Sequence, residues 1–268
     1  MSSKITGTNI LATIVAHKMK EVATRKNEIS ISQLENMPLF AKNVFSLKAN
    51  LQKQNTTGII AEYKRKSPSK GIINDKTSVK EVTAAYHAYG AAGISVLTDT
   101  EFFGGNLNDL STAIQNQIPV LRKEFIIDEF QIIEAKAYGA SVILLIASCL
   151  TPSTTQLLAA KAKALGMEVL LELHNETELE HICDEVDLVG INNRSLKSFE
   201  VNIEHSLQLK NKLPKGKLSI AESGIYSVDT YHLLKKEGFD GFLMGEYFMK
   251  QENPAKAFEL FTKAIKTN

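Results

Sequence analysis

Short apolar runs and amphipathic stretches alternate along most of the chain. Runs such as Gly58-Ile59-Ile60-Ala61 are typical of strands that are buried on both faces. These runs predict eight strands, over residues 58–64, 94–98, 120–125, 142–147, 168–174, 188–193, 218–222 and 241–244. Apolar residues at helical spacing predict a helix after each strand, over residues 79–89, 107–115, 129–138, 154–165, 176–184, 203–212, 228–237 and 255–265.

This alternation indicates the fold class. Strands that alternate with helices imply right-handed crossovers and a parallel sheet. Eight such units in 268 residues predict an α/β fold, a (β/α)8 TIM barrel, as one domain over residues 1–268. An open doubly wound sheet is the main alternative. That fold usually has a glycine-rich fingerprint after its first strand, where this chain has Lys64-Arg65-Lys66-Ser67-Pro68 instead.

The residues ahead of the first strand have helical patterns and no strand pattern. One helix is predicted over residues 10–26, because apolar residues fall on one of its faces: Leu11, Ile14, Val15, Met19 and Val22. Two shorter helices are predicted over residues 32–36 and 43–52. We therefore expect residues 1–55 to form an N-terminal helical extension packed on the barrel, as a lid over it or as a separate helical cap.

Composition and charge limit the expected partners. The net charge of +1 and the pI near 7.7 give no support for a nucleic-acid surface or a membrane-seeking face. Cys149 and Cys183 match no disulfide or metal-ligand spacing, and the first eleven residues contain no signal-peptide core. We expect a cytoplasmic protein without a metal, with no nucleic-acid or membrane partner, and monomeric or at most a weak homodimer.

Charged and amide residues gather at the carboxyl ends of the predicted strands. In a closed barrel these ends meet around one mouth, where active sites are built. Each residue alone has an ordinary explanation, such as a strand end in solvent or a helix cap. Charged or amide side chains at five of these strand ends, at a matching depth, favour a functional site, and the turn at Gly245 and Glu246 follows a sixth strand. The set comprises Glu62, Lys64, Lys123, Glu172, Asn192, Arg194, Glu222, Ser223, Gly224, Gly245 and Glu246.

Two further patterns describe the expected ligand. The turns at Ser223-Gly224 and Gly245 follow the seventh and eighth strands, where barrels commonly bind phosphate through backbone N–H groups. Four loop residues are candidates for an apolar wall against a planar ring, or equally for anchors of the barrel rim: Pro68, Phe103, Phe125 and Leu196.

Longer motifs surround these residues. They are Ile59-Ile60-Ala61-Glu62-Tyr63-Lys64-Arg65-Lys66-Ser67-Pro68-Ser69-Lys70-Gly71, Ser95-Val96-Leu97-Thr98-Asp99, Phe102-Phe103-Gly104-Gly105, Leu121-Arg122-Lys123-Glu124-Phe125-Ile126, Gly190-Ile191-Asn192-Asn193-Arg194, Ala221-Glu222-Ser223-Gly224-Ile225 and Leu243-Met244-Gly245-Glu246. In this order they resemble the motifs of the indole-3-glycerol phosphate synthase family of tryptophan biosynthesis. The helix over residues 10–26 is similar to the family's N-terminal segment, so the resemblance spans nearly the whole chain.

The resemblance implies an activity and a set of roles. The family converts 1-(2-carboxyphenylamino)-1-deoxyribulose 5-phosphate to indole-3-glycerol phosphate, releasing carbon dioxide and water without a cofactor. By this resemblance Lys123 is the general acid and Glu172 is the base or proton shuttle of the dehydration. The other implied catalytic residues are Glu62, Lys64, Asn192, Glu222 and Ser223. The implied substrate contacts are Ser67, Pro68, Phe103, Phe125, Arg194 and Leu196, with the phosphate held by Lys64, Gly224, Gly245 and Glu246.

One electrostatic hypothesis and three alternatives accompany this interpretation. Crowding by Lys64 is expected to lower the pKa of Lys123 and make it a better acid. A strand-end lysine also suits a Schiff-base aldolase. A related barrel isomerase acting on a phosphorylated aminosugar would leave the substrate carboxyl group in place. A barrel kept as a binding module would bind its ligand without turnover.

Overall fold

The computed structural model describes residues 7–195 and 200–267, in which eight parallel strands form a closed barrel. The strands are β1 Ile59–Tyr63, β2 Gly93–Leu97, β3 Val120–Lys123, β4 Val142–Ile146, β5 Glu168–Leu173, β6 Leu188–Asn192, β7 Leu218–Glu222 and β8 Gly241–Met244. The barrel closes where β1 pairs with β8, with Ile60 opposite Leu243. The predicted TIM barrel is confirmed, and the open doubly wound alternative is wrong.

Helices flank the barrel and also precede it. Ahead of β1 lie α1 Gly7–Glu28, α2 Ile31–Glu35 and α3 Leu47–Leu51. The helices after β1 are α4 Val79–Ala88, α5 Leu107–Ala113, α6 Glu129–Ala137, α7 Pro152–Ala164, α8 Ile203–Lys210, α9 Val228–Lys236, α10 Glu246–Met249 and α11 Pro254–Thr267. A small hairpin follows β1 and pairs Lys66–Ser67 with Gly71–Ile72. Within the described residues, no helix has both the length and the apolar character needed to cross a membrane.

Two of the predicted helices are wrong in length or type. The helix expected over residues 43–52 covers only Leu47–Leu51, because Ser46 accepts a hydrogen bond from Ala49 N–H and caps its start. The α-helix expected over residues 176–184 is a 3-10 helix, Glu176–His181. There the His181 ring contacts the Glu178 carbonyl, the group that an α-helix would offer to the following turn.

Alternation along the strands separates two apolar layers. In β1, Ile59 and Ala61 pack outward against the helices, whereas Ile60 belongs to the cluster that fills the barrel. The interior cluster also contains Leu121, Val142, Leu144, Leu170, Leu188, Ile220 and Leu243. Glu62 lies two positions after Ile60 and points to the same side of β1. The polar residues of the mouth therefore lie directly above the apolar cluster that fills the barrel.

The N-terminal helices contact both ends of the barrel. Leu47 and Leu51 of α3 belong to the interior cluster, and a Cβ on Gly93 would lie 2.7 Å from Leu47 Cδ1. At the opposite end, Ile10 and Ile14 of α1 line the cavity at the mouth. This packing favours a lid over a separate cap. The single domain over residues 1–268 stays a prediction.

Candidate active site

A cavity opens at the carboxyl ends of the barrel strands. It is lined by all of the described residues that the sequence singled out as a site: Glu62, Lys64, Ser67, Pro68, Phe103, Lys123, Phe125, Glu172, Asn192, Arg194, Glu222, Ser223, Gly224, Gly245 and Glu246. Leu196, the remaining candidate, lies outside the described residues. The closed barrel thus brings together side chains that are up to 184 positions apart, from Glu62 to Glu246.

Lys123 lies at the centre of the polar groups. Its Nζ is 2.6 Å from Oε2 of Glu172 and 3.2 Å from Oε2 of Glu222. The exposed fractions of these three side chains are 14%, 5% and 2%, so water screens the charges poorly. The end of β3 therefore holds an ammonium between carboxyl groups from β5 and β7.

These carboxyl groups determine the direction in which the pKa of Lys123 is shifted. Burial alone would lower the pKa of Lys123, but the charges of Glu172, Glu222 and Glu62 together raise it above its usual value. Lys64 is itself paired, with its Nζ 2.7 Å from Oε1 of Glu62. The hypothesis that Lys64 lowers the pKa of Lys123 is therefore wrong, because nearby carboxylates dominate the field at this ammonium.

The two carboxyl groups beside Lys123 have opposite pKa shifts. Burial raises the pKa of Glu172, but Lys123 and His174 outweigh it and hold that pKa well below its ordinary value. Burial raises the pKa of Glu222 to about 8, with Lys123 opposing and Glu172 reinforcing the shift. At neutral pH these shifts favour an ionised Glu172 beside a protonated Glu222, an arrangement that separates base and acid roles.

The absence of a side chain at Gly245 leaves the space that the Glu62 side chain occupies. A Cβ on Gly245 would lie 2.7 Å from Oε1 and 2.8 Å from Cβ of Glu62. Such distances are too short for any larger residue to be accommodated without displacing Glu62. Because Glu62 in turn holds Lys64, the end of β8 helps to fix an ion pair on β1.

The end of β6 supplies an amide and a guanidinium. Asn192 Nδ2 donates to Oε1 of Glu172 at 2.9 Å, and Asn192 Oδ1 accepts from the backbone N–H of Arg194 at 3.0 Å. The Arg194 guanidinium donates to Oε2 of Glu246 and to the Tyr226 hydroxyl, each at 2.9 Å. The amide therefore orients the carboxylate of Glu172 on one side and the chain leading to Arg194 on the other.

The turn after β7 has a left-handed backbone. Ser223 has φ +65° and Gly224 has φ +73°, a conformation that is unusual for a serine. The amide of Asn193 donates to the Ser223 carbonyl at 2.7 Å and stabilises the turn. Such backbone strain is found most often at functional sites.

An aromatic pair forms one side of the cavity. The rings of Phe103 and Phe125 lie 5.9 Å apart between centroids, at an angle of 39°. Asp99 accepts hydrogen bonds from the N–H groups of Phe102 and Phe103 and so holds the loop that carries one of the rings. The pair presents an apolar surface beside the charged groups.

Comparison with known proteins decides the family. The chain matches the model of the family described as indole-3-glycerol phosphate synthase over residues 11–261. It is 43% identical over 258 residues to "Indole-3-glycerol phosphate synthase" of Bacteroides thetaiotaomicron, covering 96% of this chain and 99% of the relative. It is 41% identical over 264 residues to the protein of the same name from Polynucleobacter asymbioticus, covering 94% of this chain and 99% of the relative. The chain belongs to the indole-3-glycerol phosphate synthase family.

Membership of this family confirms the resemblance found in the sequence. It also confirms the predicted activity, an indole-3-glycerol-phosphate synthase, which is a carboxy-lyase that acts on a phosphorylated small molecule. Among solved structures, thiamine phosphate pyrophosphorylase from Pyrococcus furiosus is similar in fold alone. Its TM-score is 0.57 at 15% identity, covering 83% of this chain and 98% of that chain.

Sequence reasoning missed the buried ion cluster that ties α1 to the synthase barrel. Lys18 has no exposed side-chain surface, and its Nζ lies 2.9 Å from Oδ2 of Asp99 and 3.1 Å from Oε1 of Glu124. Asp99 holds the Phe103 loop and Glu124 follows Lys123, so α1 is linked to two walls of the cavity. A signal was available in the spacing: Lys18 follows Ile14 by four positions and precedes Val22 by four, which places it on the predicted apolar face of the helix.

Proposed function

We propose that this cavity closes the indole ring of 1-(2-carboxyphenylamino)-1-deoxyribulose 5-phosphate by general acid/base catalysis. The observation that carries the assignment is the position of Lys123 Nζ, 2.6 Å from Glu172 and 3.2 Å from Glu222 at the cavity floor. The ring carbon bearing the carboxylate attacks the ketone carbon, and the ketone oxygen takes a proton from the Lys123 ammonium. Charge that develops on this oxygen is stabilised by the same group.

The later steps need a base and no electron sink beyond the substrate. Once the new carbon–carbon bond has formed, carbon dioxide leaves and its electron pair neutralises the iminium formed on ring closure. Dehydration then removes a proton from the neighbouring carbon, and the base that takes this proton passes it to the hydroxyl formed from the ketone, which leaves as water. Glu172 is the group we assign to this proton, because its lowered pKa keeps it ionised at neutral pH.

The remaining residues bind and orient the substrate. We assign Lys64, held by Glu62, to bridge the substrate carboxylate and phosphate, and Asn192 and Arg194 to orient its polar groups. Glu222 and Ser223 complete the pocket. The aromatic pair suits the anthranilate ring, with Ser67 and Pro68 at the edge of the same cavity. For the phosphate we propose the turns at Gly224 and Gly245, the backbone N–H of Glu246, and Lys64.

One assay separates this function from its alternatives. The enzyme is supplied with the carboxyphenylamino-deoxyribulose phosphate while indole fluorescence and carbon dioxide release are followed together. The synthase gives both signals, whereas a sugar isomerase releases no carbon dioxide and a binding module gives neither. Borohydride trapping labels Lys123 only in an aldolase.

Glu172→Gln is expected to lower kcat at least about 100-fold. The control is Glu176→Gln, at an exposed position just after β5, which is expected to leave kcat within about twofold of the parent.

We also propose that the enzyme is a cytoplasmic monomer in which residues 1–55 fold with the barrel as one domain. The near-neutral charge and the contacts of α1 and α3 at both barrel ends support this proposal. Light scattering coupled to size-exclusion chromatography gives the mass directly. A dimer mass across the working concentration range would contradict the monomer.

A further inference from the structure

A histidine stands directly behind the carboxylate of Glu172. His174 follows β5 and lies two positions beyond Glu172, so both side chains project to the same side of the strand direction. His174 Nε2 is 3.2 Å from Oε1 of Glu172, and the imidazole is only 8% exposed. His174 is not among the residues that line the cavity, so its contact with the reaction runs through Glu172.

A second carboxylate holds the other side of this imidazole. His174 Nδ1 lies 3.8 Å from Oε2 of Glu178 and 3.4 Å from the Ser148 hydroxyl. Glu178 also accepts the backbone N–H of His174 at 2.6 Å, which fixes the relative position of the two residues. His205, on α8, contacts only the backbone carbonyl of His174. The imidazole thus lies between two carboxyl groups, Glu172 on β5 and Glu178 on the 3-10 helix.

The charges around this imidazole favour its protonated form. Burial alone would lower the pKa of His174, but contacts with Glu172 and Glu178 outweigh it and raise the pKa to about 9. The neighbouring thiol of Cys149 adds no charge, because burial, with Glu172 and Glu178 reinforcing it, raises its pKa to about 12. His174 is therefore a buried cation at neutral pH.

We infer that His174 is a positioning residue for the reaction, a second cation that orients Glu172 and keeps it ionised after Lys123 has given up its proton. This inference rests on the proposed roles of Lys123 and Glu172. When the ammonium 2.6 Å from Oε2 becomes neutral, Glu172 loses its strongest partner. Without another cation, burial would raise the pKa of Glu172, and a carboxyl group protonated from the solvent would be unable to act as the base of the dehydration. The contact at Oε1 supplies that cation from outside the cavity.

The first test observes the histidine in the unmodified enzyme. Histidine labelled with 15N is titrated by NMR in the full chain, and the His174 signal is assigned by its loss in His174→Gln. The expected result is titration near pH 9, moving at least about one unit lower in Glu172→Gln. Titration near the ordinary value of about 6.5 in the parent enzyme would overturn the inference.

The second test separates positioning from folding. His174→Gln is expected to lower kcat at least about 10-fold while KM changes less than about threefold. The kcat of the parent is expected to decline above about pH 9, where His174 loses its proton. His174→Arg, which keeps a cation that does not titrate, is expected to recover part of the rate lost in His174→Gln and to show no such decline. The nearby control His205→Gln is expected to stay within about twofold of the parent in kcat.

The outcomes distinguish the inference from the proposed function. If His174→Gln matches the parent in kcat and pH profile while Glu172→Gln is inactive, His174 is not a positioning residue and the proposed function stands. If Glu172→Gln is as active as the parent, the proposed role of Glu172 as the base fails, and the inference that rests on it fails with it. If His174→Gln does not fold, the His174 signal is assigned by its loss in His174→Arg instead, and the NMR titration of the parent and of Glu172→Gln decides the question.

Discussion

Gly190 on β6 and Glu222 on β7 share one space inside the barrel: a Cβ on Gly190 would lie 2.1 Å from Oε1 of Glu222. The strands are paired so that Gly190 faces Ile220 and Asn192 faces Glu222. The glycine is needed here for close approach of a carboxyl group, since its φ is not in the left-handed region. The missing side chain at Gly190 on β6 thus determines where the carboxyl group of Glu222 on β7 can lie.

Replacing this glycine is expected to act through Glu222. In Gly190→Ala the new methyl group displaces the carboxyl group from Lys123, and kcat/KM falls about 100-fold. In a Glu222→Ala background the same substitution has little to collide with and is expected to change kcat/KM less than about threefold. Steady-state kinetics of the four enzymes form a double-mutant cycle. Equal losses in both backgrounds would show that the methyl group acts elsewhere.

The raised pKa of Glu222 predicts a pH-dependent stability. The folded protein keeps this proton up to about pH 8, whereas the unfolded chain releases it near the ordinary value of 4.5. Stability therefore falls as pH rises through this window, because the folded state binds more protons. Relative to Glu222→Gln, the parent is expected to lose roughly 2–4 kcal/mol of unfolding free energy between pH 5 and 8, with no further loss above.

Urea denaturation of both proteins at intervals from pH 5 to 9 measures this difference. Subtracting the two curves removes the contributions of groups that the proteins share. A difference in unfolding free energy that is constant with pH, or a parent that gains stability relative to Glu222→Gln as pH rises, would contradict a raised pKa at Glu222.

The buried Lys18 predicts a link between the first helix and the substrate site. Lys18→Met leaves Asp99 and Glu124 buried without their shared cation, which costs about 3–5 kcal/mol of unfolding free energy. We also expect KM to rise, because α1 and the Phe103 loop lose a common anchor. Lys18→Arg retains the charge and is expected to lose less, and Lys20→Met, at an exposed position, is the control. Thermal unfolding and steady-state kinetics that match the parent would contradict this role.

The fold was readable from the sequence because the barrel strands are buried on both faces. Runs such as Val142-Ile143-Leu144-Leu145-Ile146 have no polar alternation, and glycines or caps separate them from amphipathic helices. The site was readable for the same reason. A carboxylate such as Glu172, at the end of an apolar run, stands out against its neighbours.

The features that escaped prediction depend on contacts between distant segments. The local sequence around Leu47 and Leu51 does not show that these residues fill the end of the barrel opposite the mouth. Any amphipathic helix has similar apolar residues. The pKa of Lys123 was predicted in the wrong direction because its sign depends on which charges lie nearest in space. Those charges belong to Glu172 and Glu222, which are distant in the sequence and come within 2.6 and 3.2 Å of Lys123 Nζ only when the barrel closes.

The central claim is that Lys123 donates a proton at a point where Glu172 and the substrate-binding groups converge. Single-turnover fluorescence with Lys123→Ala and Lys123→Arg tests it directly, together with the Kd of the substrate for each variant. Arginine keeps the positive charge but does not give up its proton at accessible pH. The account predicts that both variants bind substrate within about tenfold of the parent and form indole-3-glycerol phosphate at least about 1000-fold more slowly. Product formation by Lys123→Arg at close to the parent rate would contradict it.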